Sequence, residues 1–193
     1  MGSYAMTGGA TGIGAAIKQR LRGAGHTVIV VDVKDADVIA DLGTRAGRDS
    51  AIEGIRARAN GGLDGFVACA GLGGHVPDRA LLASVNYFGA VDLVEGLKDL
   101  VAARQGAVVL ISSNSAPMST NEQFVTLLLE GNEEAARALA NEIQGHPVYS
   151  GSKLALARWM RRNTAAYAAL GVRLNAVAPG YTETPMTEQV AKD

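Results

Sequence analysis

Short apolar runs alternate along this chain with longer segments in which apolar residues recur every three or four positions. Apolar runs of strand length occupy residues 3–6, 27–33, 38–40, 63–70, 107–113 and 172–177. Helical spacing predicts helices over residues 13–22, 45–59, 81–104 and 148–170. A succession of strands and helices in this order is typical of βαβ units around a parallel sheet. The pattern therefore predicts an open α/β fold.

The segment from 114 to 147 departs from this alternation. It begins with polar residues and then shows two short helical patterns, 122–129 and 133–143, separated by Gly131 and Asn132. Asn132 suits the N-cap of the second helix, and the acidic Glu133 and Glu134 follow in its first turn.

With 193 residues, the chain has the length of one domain. We predict a single domain, residues 1–193, with a helical insertion at about 114–147.

Composition and charge exclude several classes of protein. Hydrophobic residues make up 48% and charged residues 19% of the chain, as in an ordinary globular protein. The formal net charge of −1 provides no positive field for a nucleic acid, so we expect no such partner. The apolar runs are far shorter than a membrane span, so we expect no membrane partner.

The cysteine and histidine content limits the chemistry further. Cys69 is the single cysteine, so it forms no intrachain disulfide, and we expect a buried thiol in a reducing, cytoplasmic compartment. The histidines at 26, 75 and 146 lie far apart without companion cysteines. This spacing does not predict a metal site.

A glycine-rich loop joins the first predicted strand to the first predicted helix. The segment from Thr7 to Gly14 has the pattern TGxxxGxG, in which backbone amides and a helix N-terminus can meet a pyrophosphate. Asp32 closes the second strand, where a carboxylate can bind an adenosine ribose and repel a 2′-phosphate. These residues favour NAD over NADP, although the nearby Lys34 leaves NADP open.

A second motif pairs a phenol with an ammonium group. Tyr149 and Lys153 lie four residues apart on one face of a predicted helix. A free phenol has a pKa near 10, but a neighbouring lysine and a positively charged nicotinamide favour the phenolate. Tyr149 would then exchange a proton with a substrate hydroxyl or carbonyl group during hydride transfer. Ser113 ends the fifth predicted strand, on the edge where open α/β sheets bind ligands.

These motifs, in this order, resemble those of the short-chain dehydrogenase/reductase family. The resemblance extends over nearly the whole chain and includes the glycine loop, Asp32, Ala68-Cys69-Ala70-Gly71, Val85 to Gly89, Ile111-Ser112-Ser113, Tyr149 to Lys153 and Asn175 to Gly180. It implies a Rossmann fold, in which a doubly wound parallel sheet lies between two layers of helices. It also implies an oxidoreductase that transfers hydride between a dinucleotide and an alcohol or ketone.

The same resemblance implies roles for particular residues. The catalytic set would be Ser113, Tyr149 and Lys153, with Asn86 completing a proton relay through water. The cofactor would be NAD, bound by Gly8, Thr11, Gly12, Ile13, Gly14, Asp32, Asp41, Leu42, Ala70, Gly71, Tyr149, Lys153, Pro179, Gly180, Thr182 and Thr184. Within this set, Asp41 and Leu42 would flank the adenine, and Pro179, Thr182 and Thr184 would orient the nicotinamide carboxamide.

A subgroup of the family is still more similar. The segments from Asp35 to Leu42, Cys69 to Gly73, Asn86 to Ala90 and Glu183 to Pro185 resemble those of bacterial 3α-hydroxysteroid dehydrogenase/carbonyl reductases. That subgroup also has a short link after the fourth strand and a long helical insertion between the catalytic serine and tyrosine. The implied substrate is a 3α-hydroxysteroid or a related carbonyl compound.

Two alternatives remain beside this interpretation. One is a short-chain dehydrogenase that acts on a non-steroid substrate, and the other is an NAD-binding module without turnover. We further expect a homodimer or homotetramer, with Leu93, Leu97 and Leu100 as a subunit surface. Relatives continue beyond a tail of this kind into a final sheet strand, so we also expect that strand to be missing from this sequence.

Overall fold

The computed structural model describes residues 1–144 and 146–188. Its six strands are β1 (Ser3–Thr7), β2 (Thr27–Asp32), β3 (Val38–Ile39), β4 (Gly65–Ala68), β5 (Ala107–Ile111) and β6 (Arg173–Val177). They form one sheet in the order β3-β2-β1-β4-β5-β6, and every neighbouring pair is parallel. This order is that of a doubly wound sheet whose topological switch point lies between β1 and β4. The predicted fold class is confirmed.

The helices follow the predicted alternation with the strands. They are α1 (Gly12–Gly23), α2 (Arg45–Arg56), α3 (Arg79–Ala83), α4 (Gly89–Gly96), α5 (Lys98–Ala102), α6 (Glu122–Leu129), α7 (Glu133–Glu142) and α8 (Pro147–Ala169). Asn132 caps α7 as predicted, because its Oδ1 accepts a hydrogen bond from the Ala135 amide at 3.2 Å.

The single helix predicted over residues 81–104 is wrong. The structure divides this region into α3, a π-helical segment (Ser84–Phe88), α4 and α5. Leu97 separates α4 from α5 with a φ of −113° and a ψ of 3°. It is nevertheless fully buried, so the apolar spacing continues across the break although the backbone does not. Periodicity alone cannot detect such a break.

Side chains of the strands alternate between two cores. Met6, Val28 and Val30 pack with Ile17 and Leu21 of α1 on one face of the sheet. Neighbouring residues of the same strands belong to a larger core with α2, α4 and α8, and they include Ala5, Ile29, Val31, Phe66 and Val108. The sheet therefore has helices on both faces, as expected for the three-layer fold.

The insertion between β5 and α8 packs on the second of these faces. Helix α6 lies against α8, and α7 lies against α3.

The expected subunit surface is wrong in two of its three residues, because Leu93 and Leu97 are fully buried in the core of the chain itself. Across the described residues, no helix is both long and apolar enough to cross a membrane.

The parallel sheet brings the loops that follow its strands to one edge. Thr7, Asp32, Ala68, Ile111 and Val177 are the last residues of five strands, and their carboxyl ends point the same way. The glycine loop, Asp32, Ala70-Gly71, Ser113 and Pro179-Gly180 lie at these strand ends or in the loops that leave them, whereas Tyr149 and Lys153 lie in α8. The fold therefore gathers residues that are far apart in the sequence at this edge.

Candidate active site

A cleft of about 490 Å³ opens at the carboxyl edge of the sheet. Loops after all six strands line it together with α8. All the predicted cofactor residues line this cleft, and so do Ser113, Tyr149 and Lys153. Asn86 is the one predicted residue outside the lining.

The glycine loop adopts a backbone that side chains would disturb. Gly8 has a φ of +74°, and a Cβ atom there would lie 2.6 Å from the backbone of Ala70. A Cβ atom on Gly14 would lie 1.7 Å from the carbonyl oxygen of Gly8. Thr11 precedes α1, and among the described residues no side chain caps this helix. The first-turn amides of α1 are therefore available to an anion in the cleft.

Asp32 ends β2 on the rim beyond the glycine loop. Its Oδ2 accepts a hydrogen bond from the Ala10 amide at 3.0 Å, and its Oδ1 accepts one from the Val33 amide at 2.8 Å. Asp41 and Leu42 form the neighbouring wall, and Lys34 also lines this end of the cleft. The carboxylate is thus held at the position where an adenosine ribose is expected.

The segment after β4 is anchored by a residue that the sequence did not single out. The Thr7 hydroxyl accepts hydrogen bonds from the amides of Cys69 at 3.1 Å and Ala70 at 3.0 Å. Ala70 and Gly71 are thereby held beside the end of β1. A threonine at the end of a buried strand before a glycine loop is a signal that could have been used.

Cys69 differs from the expected buried thiol. It is half-buried and lines the cleft. Burial raises the pKa of its thiol, and the positive charge of Lys153 partly opposes that rise. The predicted strand 63–70 included Cys69, whereas in the structure Cys69 lies just beyond β4, where the chain leaves the sheet.

The two adjacent serines at the end of β5 have different environments. Ser112 donates from its hydroxyl to the carbonyl oxygen of Lys153 at 3.0 Å, which anchors α8 to the strand. Ser113 Oγ accepts hydrogen bonds from the Ser115 hydroxyl at 2.8 Å and from the Ser115 amide at 3.2 Å. Ser115 was not predicted, and it orients the hydroxyl of Ser113.

Tyr149 and Lys153 lie one turn apart in the first half of α8. The Lys153 Nζ lies 5.8 Å from the centre of the Tyr149 ring and donates a hydrogen bond to the Ile111 carbonyl at 2.9 Å. Burial lowers the pKa of Lys153 to about 8, and the charge of Cys69 acts in the opposite direction. Near pH 7 the ammonium form still dominates, so a positive charge lies beside the phenol.

Asn86 is buried behind the loop after β4. Its side chain accepts from the Leu72 amide at 2.7 Å and donates to the Leu72 carbonyl at 3.0 Å. A Cβ atom on Gly71 would lie 3.3 Å from Asn86 Oδ1 and 3.5 Å from Lys153 Nζ. Asn86 therefore lies next to the lysine, with its amide group bound to Leu72.

The described part of the tail closes one side of the cleft. Pro179, Gly180, Thr182 and Thr184 all line it, and a Cβ atom on Gly12 would lie 3.2 Å from the Thr184 side chain. The turn is held by Thr187, whose hydroxyl donates to the Thr182 carbonyl at 2.8 Å and accepts from the Thr184 amide at 3.0 Å. Thr187 also lines the cleft and was not predicted.

Comparison with known proteins agrees with this arrangement. The sequence model of the short chain dehydrogenase family matches residues 4–125 and 135–193. The 3-alpha-hydroxysteroid dehydrogenase/carbonyl reductase of Comamonas testosteroni is 44% identical over 199 residues, with 100% of this chain and 77% of that protein covered. The cis-4-hydroxycyclohexanecarboxylate dehydrogenase of Sinomonas cyclohexanicum is 29% identical, with 97% of this chain and 76% of that protein covered.

A solved structure is also similar. The 3-alpha-hydroxysteroid dehydrogenase from Pseudomonas sp. B-0831, crystallised with NADH, superposes with a TM-score of 0.95 at 42% identity. The match covers 99% of this chain and 77% of that one. The chain therefore belongs to the short-chain dehydrogenase family.

Proposed function

We propose that the protein transfers hydride between NAD(H) and a secondary alcohol or ketone, with a 3α-hydroxysteroid or a related carbonyl compound as substrate. One observation carries this proposal. A single cleft has a glycine cradle and Asp32 at one end and Ser113, Tyr149 and Lys153 at the other. Similarity to hydroxysteroid dehydrogenases, one of them crystallised with NADH, supports both the cofactor and the substrate class.

The cleft fits the dinucleotide in shape and charge. Because Gly8 and Gly14 have no Cβ atom, the loop can pack directly against Ala70 and against its own backbone. This close packing holds the loop beside the uncapped start of α1, where a pyrophosphate would bind. We assign Asp32, with Asp41 and Leu42, to the adenosine half. We assign Lys153, Pro179, Thr182 and Thr184 to the nicotinamide half. The negative charge of Asp32 favours NAD over NADP.

The reaction divides between the cofactor and three side chains. When bound, NAD supplies the hydride acceptor. We assign Tyr149 as the group that takes the proton from the substrate hydroxyl, with the ammonium of Lys153 at 5.8 Å from the centre of its ring. We assign Ser113 as a hydrogen-bond donor to the reacting oxygen, in place of its long contact of 3.5 Å to Asn114 Oδ1, while its own oxygen accepts from Ser115. Asn86 remains the predicted member of a proton relay, beside Lys153.

Exposed apolar side chains near the catalytic end support a bulky apolar substrate. Met186 lines the cleft and is 37% exposed. Pro185 also lines the cleft and is exposed. Such residues favour an apolar ring system over a small polar alcohol.

The first experiment measures the formation of NADH from NAD, or of NADPH from NADP, by purified protein of verified mass. The substrate panel pairs 3α-hydroxysteroids with small secondary alcohols. We expect the higher kcat/KM with NAD and a steroid. A higher kcat/KM with a small alcohol would agree with the proposed hydride transfer but contradict the proposed steroid substrate. Tight NADH binding without any turnover would favour the non-catalytic module.

The role of Tyr149 has its own test. Tyr149→Phe removes the phenolic proton carrier and should lower kcat by at least about 100-fold at saturating NAD, within the range usual for general acid–base catalysis. Tyr4→Phe is the matched control, because Tyr4 lies in β1 and packs on His26 away from the cleft. Wild-type turnover in Tyr149→Phe would remove the proposed mechanism.

We further propose a cytoplasmic homodimer or homotetramer. The lone, half-buried Cys69 suits a reducing compartment. Because Leu93 and Leu97 are buried within the chain, the subunit contact must use other residues. Sedimentation equilibrium at micromolar concentration should show an oligomer, and a monomer would refute this assignment.

A further inference from the structure

A buried ionic cluster lies outside the cleft, between α2, α4 and α7. We call it the Arg48 cluster, and its members are Arg48, Asp92, Glu133 and Ser84. Arg48 is in α2 and is 0% exposed, whereas Glu133 is the first residue of α7 in the insertion. The two are 85 positions apart in the sequence.

The guanidinium of Arg48 is held on two sides by carboxylates. Its Nη1 and Nη2 donate to the two carboxylate oxygens of Glu133, at 3.1 Å and 2.5 Å. Its Nε lies 2.8 Å from Asp92 Oδ2, in an ionic contact that lacks hydrogen-bond geometry. Contacts with carboxylates on two sides fix the plane and direction of the guanidinium.

Arg48 uses that fixed orientation to bind the wall of the cleft. Its Nη1 also donates to the carbonyl oxygen of Leu42 at 3.2 Å, in a hydrogen bond that is fully buried. The side chain of Leu42 lines the cleft at the end assigned to the adenine. A Cβ atom on Gly89 would lie 3.1 Å from Leu42 Cβ, so Leu42 also has a close contact on its other side. Thus Glu133 is linked to the adenine wall through one intervening side chain.

The other arm of the cluster reaches the π-helical segment. Glu133 Oε1 accepts a hydrogen bond from the Ser84 hydroxyl at 2.7 Å, and Arg137 of α7 donates to the same hydroxyl. Helix α7 is therefore fastened at its first turn to two segments that lead to the cleft. It contributes none of the described residues that line the cleft itself.

Stability alone does not account for such a cluster. A buried ion pair is often no more stabilising than well-packed apolar side chains, because removing the charges from water costs about as much as their attraction returns. What the ions provide is direction, since a guanidinium held by carboxylates orients the carbonyl to which it donates. The inserted helix thus acts on the geometry of the cleft at a distance.

We propose that Glu133 is a positioning residue for the cofactor, which holds Arg48 so that Arg48 orients the Leu42 backbone against the adenine. This inference rests on the proposed assignment of Leu42 to the adenosine half of the cleft. It predicts that the insertion affects the adenine half of the dinucleotide and leaves the nicotinamide half unaffected. Binding of the two halves can be measured separately.

The test compares Glu133→Gln with the wild type, using AMP for the adenine half and nicotinamide mononucleotide for the other. Each is titrated against bound NADH by the change in NADH fluorescence. We expect AMP affinity to fall by about tenfold, within the usual range of coupling between sites, and the affinity for the mononucleotide to change by less than about twofold. Glu122→Gln is the matched control, because Glu122 pairs with Arg158 on the surface of the insertion and both affinities should be unchanged.

The proposal would be overturned if Glu133→Gln lost affinity for AMP and for the mononucleotide equally. It would also be overturned if the variant unfolded cooperatively and kept both affinities. If Glu133→Gln does not fold, amide hydrogen exchange of the wild-type protein tests the same proposal. AMP should slow amide hydrogen exchange in residues 133–137 of α7 and leave residues 122–129 of α6 unchanged, because coupling is reciprocal. No protection of α7 would refute the coupling. If the wild type binds neither AMP nor NADH, the proposed function itself fails.

Discussion

Replacing Lys153 with methionine should abolish turnover and stabilise the protein at neutral pH. The lysine side chain is nearly fully buried and has a pKa of about 8 in the folded chain, against the ordinary 10.5. A cation whose pKa is depressed by burial destabilises the fold while it is protonated. Methionine has a similar length and carries no charge, so it removes this penalty together with the ammonium group to which we assign a part in the reaction.

The size of the effect follows from the two pKa values. The difference between a pKa of about 8 in the folded chain and the ordinary 10.5 corresponds to about 3 kcal/mol when both the folded and unfolded states are protonated. The variant loses the hydrogen bond from Lys153 to the Ile111 carbonyl, which costs about 2 kcal/mol for a charged donor. The net gain for the variant at pH 7 is therefore about 1 kcal/mol.

The pH dependence has a definite sign. Below pH 8 the penalty on the wild type is complete, and it disappears as the pH rises towards 10.5, where the unfolded chain also loses the proton. Between pH 7 and pH 9.5 the wild type should gain about 2 kcal/mol relative to the variant. The variant should thus be the more stable protein at pH 7 and the less stable one at pH 9.5.

Urea unfolding of both proteins at pH 7 and pH 9.5 measures this difference, provided that the slope m is the same. Titrating groups that do not interact with Lys153 are shared by both proteins and cancel in the comparison, whereas Cys69, whose thiol pKa the Lys153 charge lowers, does not cancel. Lys98→Met serves as the control, because Lys98 is 38% exposed and pairs with Glu95 on the surface, so its stability difference should stay small and constant. A difference for Lys153→Met that does not change with pH would show that burial does not lower the pKa of this lysine.

Two further substitutions test the ends of the cleft. Gly14→Ala should lower NADH affinity by at least about 100-fold in a fluorescence titration, because the new Cβ would lie 1.7 Å from the Gly8 carbonyl oxygen, whereas Gly23→Ala in the same helix has open space and should bind normally. Ser115→Ala removes one of the two hydrogen bonds to Ser113, so kcat should fall about tenfold while the KM for NAD is unchanged. Ser115→Thr should restore kcat, and a raised KM for NAD in Ser115→Ala would contradict this role.

Much of the site was predictable because its residues follow directly from strand ends. Asp32 closes β2, and Ser113 lies two residues beyond β5, so the parallel sheet determines that they meet at one edge. Tyr149 and Lys153 are neighbours by helical spacing alone. In each case a local pattern and the direction of the sheet are sufficient to place the side chain.

Other features depend on tertiary packing that no local pattern describes. Leu97 continues an apolar stripe across a break in the helix, and Glu133 looks like an ordinary acidic residue in a first helical turn. The position of Leu97 is determined by its burial in the core. The role of Glu133 depends on its contact with Arg48, which is 85 residues away in the sequence. Similarly, the contact of Ser115 with Ser113 depends on how the chain turns after β5.

Several features at the cleft are unusual for a folded chain. Lys153 is a buried cation, Gly8 and Gly12 have positive φ values, and among the described residues no side chain caps α1. Such local conflicts are expected where binding or catalysis requires them. Arg48 is also a buried cation, yet it lies outside the cleft and touches the wall only through the Leu42 carbonyl. Because the same argument applies to it, its charge is best explained by the site that it positions.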